Sequence, residues 1–118
     1  MEITDKNMND IWWHDCMINR VVETPSASEL VMEVDYPTDM EKDLYEPRSI
    51  VFTDPLDYHI QEGPFKGTPA ILDATMEDAA DGYRRIILET NAGRRTLRFR
   101  RLELRPCIFK ALERMRLP

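Results

Sequence analysis

The sequence predicts a mainly β protein: about six antiparallel, mostly hairpin-connected strands in a curved sheet, half-barrel or small sandwich, with a short C-terminal helix. Three observations carry this expectation. Leu30, Met32, Val34 and Tyr36 fall on one side of an extended chain while Glu29, Val31, Glu33 and Asp35 fall on the other, the period of a strand with one buried face. Turn chemistry recurs, at residues 25–28, 63–69 and 91–93. Leu97 and Phe99 are one residue out of phase with Leu102 and Leu104, a shift that a β-bulge at Arg100 and Arg101 would produce.

Taken in order, residues 1–9 are polar and read as a frayed terminus. Residues 10–18 hold both tryptophans, His14 and Cys16, where the polar start gives way to strands. Adjacent side chains of an extended chain face opposite ways, so one of Trp12 and Trp13 belongs to the core. The other is left to cover an edge, line a groove or meet a partner. Residues 16–24 form a strand carrying Ile18, Val21 and Val22, and the turn at 25–28 joins it to the strand at 29–36 as a hairpin.

Residues 37–48 read as a loop bounded by Pro37 and Pro47, with Asp39, Glu41, Asp43 and Glu46 around Lys42. A short strand at 49–52 is broken at Asp54 and Pro55 and resumes at 56–60. Residues 63–69 form a wide turn, 70–76 a strand and 77–82 an acidic connection. In the strand at 83–90, Ile86 and Leu88 share one face and Ile87 takes the other. A tight turn at 91–93 uses the conformational freedom of Gly93, and 94–104 completes the hairpin. Ile108, Phe109, Leu112 and Met115 then recur at helical spacing within 107–116.

With 118 residues, the chain is expected to be one domain, able to bury roughly 65% of its unfolded surface. No apolar run approaches the ~18 residues of a membrane helix, and no signal-peptide pattern opens the sequence, so a soluble cytoplasmic protein is expected. Cys16 and Cys107 form no CxxC pair and read as free, buried thiols. The net charge of −6 is unevenly placed: residues 1–81 carry 5 basic and 19 acidic side chains, residues 82–118 carry 11 and 3. Basic strands facing acidic ones within a sheet account for this more simply than a nucleic-acid surface does.

Motifs with defined chemistry are missing. The acidic loop lacks the spaced ligands and turn glycine of a calcium loop, and the 63–69 turn lacks both phosphate-binding fingerprints. His14, Cys16, His59 and Cys107 show no zinc spacing, so neither a metal nor another cofactor is expected. His14 and Asp15 form the one candidate polar site, an imidazole next to a carboxylate. Arg98 and Arg100 would share a face of the basic strand 94–105 and are the candidate nucleic-acid contacts.

Trp13-His14-Asp15-Cys16, followed by an apolar strand and the 29–36 strand, resembles a loose set of small bacterial proteins. These open with a Trp/Leu-His-Asp-Ser/Cys-x-Leu/Ile pattern and continue as antiparallel strands. Some resemble immunity proteins of polymorphic-toxin systems, which bind and block a toxin. The resemblance implies a non-catalytic protein-binding module whose partner is a toxin. Independently of it, the acidic charge nominates Asp39, Glu41 and Asp43, with Trp12 and Tyr45, as partner contacts. Two other expectations stand beside this one: a nucleic-acid-associated protein using Arg98 and Arg100, and an enzyme or ligand-binding module centred on His14 and Asp15. Open edge strands would also allow a homodimer.

Overall fold

The computed structural model describes residues 1–107. Eight strands follow in chain order: β1 (Met17–Thr24), β2 (Glu29–Asp39), β3 (Leu44–Thr53), β4 (Leu56–Glu62), β5 (Ile71–Asp78), β6 (Arg84–Thr90), β7 (Gly93–Phe99) and β8 (Arg101–Pro106). They build two antiparallel four-stranded sheets, ordered β1-β2-β3-β8 and β4-β7-β6-β5. The count exceeds the six expected for two reasons. The 94–104 run is divided at Arg100, and the run broken at Asp54 and Pro55 is two separate strands that lie in different sheets. The predicted helix at 107–116 falls outside the described residues, apart from Cys107, which is not helical.

The phase shift at Arg100 is where the chain changes sheets. β3 pairs with β8 and β4 pairs with β7, so 44–62 and 93–106 form one long ribbon bent at a common corner. Asp54 adopts a left-handed φ of 54° at that corner, Pro55 follows it, and Arg100 donates its N–H to the Thr53 carbonyl at 3.0 Å. Strands that change sheets through bends are the usual means of making such corners. Phase and burial agree: Leu97, Phe99 and Leu102 are all buried.

Both sheets contribute to one core. Ile18, Leu30, Met32, Val34, Ile50, Phe52 and Leu102 come from the first, and Ile71, Ile86, Leu88, Leu97 and Phe99 from the second. Phe52 and Phe99 meet edge to face across the sheets, with centroids 5.3 Å apart, a favoured aromatic geometry. The alternation of β2 is kept on its core side. At the centre of the opposite side, however, Val31 and Glu33 are buried as well, although the pattern assigns that face to solvent. Glu33 pairs with Arg20 and accepts a hydrogen bond from the Cys107 thiol at 3.3 Å. Cys16 and Cys107 are free and buried, as their spacing predicts.

Two expectations are corrected. The N-terminus is not frayed: the buried Ile3 donates its N–H to Leu102 at 2.8 Å, and Met1 exchanges two backbone hydrogen bonds with Leu104. An apolar side chain at Ile3 and the open edge of β8 together supply the reason. Nor is 37–48 a loop. β2 and β3 continue through it, and only residues 40–43 form the turn. β1 reaches along β2 only to Asp35, and β8 reaches along β3 only to Arg48. Beyond those points the hairpin projects as a two-stranded ribbon, so Pro37 and Pro47 sit where a missing N–H costs no ladder bond to a third strand.

The charge asymmetry is absorbed internally. Glu77 and Asp78 lie opposite Arg85 and Arg84 in the β5–β6 register, and both pairs are bridged. Arg84 also reaches Asp5, Arg101 reaches Glu2, and Arg105 reaches Glu29. Among the described residues no helix is long and apolar enough to cross a membrane.

Candidate protein-binding face

The projecting β2–β3 hairpin and the Trp12–Asp15 segment lie side by side. The Tyr36 hydroxyl accepts the Trp12 backbone N–H at 2.8 Å, and the Trp12 carbonyl accepts the Cys16 thiol at 3.0 Å. The two tryptophans divide as alternation requires. Trp13 is buried and its indole N–H donates to the Met8 carbonyl at 3.1 Å, whereas Trp12 is 50% exposed. An indole held by its backbone on both sides and half in water is a ready contact group.

Asp15 takes a left-handed φ of 71°, a conformation that aspartate tolerates better than most residues. The reversal defeats the ordinary divergence of neighbouring side chains and brings the Asp15 carboxylate within 3.0 Å of His14 Nδ1. It also anchors the second sheet: Asp15 donates its N–H to Ile71, and Ile71 donates to Cys16, both at 2.8 Å. His14 and Asp15 remain well exposed. His14 lines an open cleft rather than an enclosed pocket. Burial, and secondarily the Asp15 charge, push the Cys16 thiol up to about 12, which keeps it un-ionised and inert.

Asp39, Glu41 and Asp43 crowd the hairpin tip. None of them has an ion-pair partner among the described residues, in contrast to most acidic side chains of the sheets. Tyr45 follows, and partial desolvation together with the charges of Asp43 and Asp15 raises its hydroxyl above the ordinary tyrosine range. The Trp12–Tyr36 hydrogen bond ties the segment of Trp12, His14 and Asp15 to the hairpin that carries Asp43 and Tyr45, and the two form one candidate face. Leu44, exposed beside the turn, and Leu72, exposed on β5 across the cleft from Trp12, extend its apolar surface. Sequence reasoning missed Leu72. A bulge at Leu72 turns it outward, and nothing in its neighbours marks that.

Arg98 and Arg100 do not form a free basic stripe. Arg98 pairs with Asp57, and Arg100 sits in the corner 3.9 Å from Asp54 with its guanidinium 4.6 Å from the Tyr83 ring centre. The strand break between them removes the shared face that unbroken alternation implied. Among the described residues no three His, Cys, Asp or Glu side chains cluster to hold a metal ion.

A second polar group lies away from this face. The Glu62 carboxylate is fully buried. Arg95 donates to its Oε1 from Nε at 2.9 Å and Nη2 at 2.6 Å, and Thr90 donates its hydroxyl to Oε2 at 2.8 Å. Arg95 Nη1 also donates to the Tyr58 hydroxyl at 3.1 Å. Burial disfavours the Arg95 charge, but the hydrogen bonds and charge of Glu62, with those of Tyr58, outweigh it and hold the guanidinium above its ordinary range. Burial raises the Tyr58 hydroxyl in turn. The network spans β4, β6 and β7 and reads as structural.

Comparison with known proteins returns no matching family model, no matching curated protein and no matching solved structure.

Proposed function

We propose that this chain is a cytoplasmic, non-catalytic protein-binding module, immunity-like in the sense that it docks on and blocks a basic partner such as a toxin. The observation that carries the reading is the half-exposed Trp12, fixed against Tyr36 of the hairpin whose tip carries Asp39, Glu41 and Asp43 without ion-pair partners among the described residues. An aromatic anchor within a field of one sign is the arrangement that combines fast encounter with a desolvated hot spot. The ion pairing of Arg98 and Arg100 takes weight from the nucleic-acid reading.

The test is recovery of partners from a bacterial lysate at low and moderate salt, with and without nuclease. Wild type is compared with Trp12→Ala and with the combined Asp39→Asn, Glu41→Gln, Asp43→Asn variant. The expected result is one nuclease-resistant basic protein, lost with Trp12→Ala and associating more slowly with the triple variant. Trp12→Ala should leave folding stability within about 0.5 kcal/mol of wild type, since the side chain is half in water. Nuclease-sensitive recovery, or equal recovery by all three proteins, refutes the proposal.

A further inference from the structure

We infer that the outer edge of β5 is a strand-acceptor slot, and that it takes an extended, basic segment of the partner by β-addition. This rests on the binding-module reading above and specifies the partner's form.

Each sheet has two edges, and the four differ in how far they are covered or broken. Residues 1–3 cover β8. The register of β1 is interrupted between Ile18 and Arg20, and that of β4 between Leu56 and His59, where Asp57 is left-handed. β5 has its own register shift between Ile71 and Asp73, but its unbroken run over residues 73–78 is the longest of the three uncovered edges, against 20–24 in β1 and 59–62 in β4, and a cleft adjoins it. The segment 5–14 runs past it and is fastened at both ends. At one end Arg84 bridges Asp5 and Asp78, and at the other Asp15 and Cys16 pair with Ile71. Between these fastenings lies a cleft of about 340 Å³, lined by residues 8–14 on one wall and 72–74 on the other.

The polarity of the slot follows from the ladder. Thr90 and Gly93 close a two-residue hairpin, so Thr90, Leu88 and Ile86 direct their backbone groups at β7. Glu89, Ile87 and Arg85 then face β5, opposite Asp73, Thr75 and Glu77. Ala74 and Met76 are left with N–H and C=O groups directed at the open edge, the template that strand addition uses. Trp12 and Leu72 offer apolar contact on either side of the cleft, and Asp10 and Asp73 line it with negative charge. A second copy of β5 would set Asp73, Glu77 and Asp78 against the same carboxylates, which disfavours self-pairing. A segment alternating Lys or Arg with β-branched residues is complementary to both the charge and the edge.

The experiment uses the full chain, isotopically labelled, and three synthetic eight-residue peptides: alternating Lys-Val, alternating Glu-Val, and Lys-Val with every second amide N-methylated. Amide hydrogen exchange and chemical shifts are followed by NMR. The Lys-Val peptide should slow exchange at Ala74 and Met76 by about tenfold or more and leave the β1 and β4 amides unchanged. The Glu-Val and N-methylated peptides should not, and Leu72→Lys should abolish the effect. Protection at β1 or β4 instead, equal protection by all three peptides, protection in the free protein through self-association, or none at all overturns the inference. If the slot fails while partner recovery still depends on Trp12, only the strand-addition model falls.

Discussion

Replacing Arg95 with methionine isolates the buried ion pair. The Glu62 side chain is 0% exposed and that of Arg95 is 7% exposed, so the substitution strands a carboxylate that retains only the Thr90 hydroxyl. Removing one partner of a buried pair typically costs about 3–5 kcal/mol. Much of that cost is desolvation of the charge left behind, rather than the intrinsic worth of the contact. The double variant Glu62→Leu, Arg95→Met removes both charges and should therefore recover most of the loss, ending within about 2 kcal/mol of wild type. Urea unfolding monitored by Trp13 fluorescence and by circular dichroism supplies the three values needed for a double-mutant cycle. A cost below about 1 kcal/mol for Arg95→Met would refute the reasoning, because it would mean that water reaches Glu62.

Two further outcomes follow from single positions. A Cβ placed on Gly93, which has a φ of 148°, would lie 1.9 Å from the Gln61 carbonyl oxygen, so Gly93→Ala must push β4 from β7. It should cost about 1–3 kcal/mol in urea unfolding and speed amide exchange at residues 60–62 before elsewhere. Cys16, with its thiol pushed up to about 12, should resist a thiol reagent at pH 8 until the chain unfolds. Because the folded thiol holds its proton above the ordinary cysteine value of 9.0, the unfolded state binds fewer protons across that window. Stability should then fall from about pH 9 upward with a slope approaching 1.4 kcal/mol per unit, which Cys16→Val removes.

The parts of the fold legible in the sequence are those set by local periodicity. The core side of β2 follows from its alternation, and the corner at Arg100 from a slip of phase in the apolar residues. The division of labour between Trp12 and Trp13 follows from adjacency alone. What stayed hidden depends on distant partners. Prolines at 37 and 47 signal a loop unless one knows that the neighbouring strands stop short of them. Ile3 looks like a stray apolar residue in a polar tail until β8 is seen to lack a partner on one side. The meeting of His14 with Asp15 depends on a backbone reversal that composition does not encode. The convergence of the hairpin tip with the Trp12 segment depends on Tyr36, whose hydroxyl reaches across 24 positions of sequence.

The bent ribbon of 44–62 against 93–106 has a consequence for how the molecule comes apart. Two sheets suggest two units that could open separately, like covers of a book. Here the spine is made of the pages themselves, since the same two stretches of chain supply one inner and one edge strand to each sheet. Neither sheet can close until distant partners have met, from Glu62 with Gly93 to Arg48 with Pro106, so loop closure governs the formation of both at once. Loosening either sheet at the corner frays the other, and the candidate face, built from one sheet's hairpin and the other's edge, is present only when both sheets are folded.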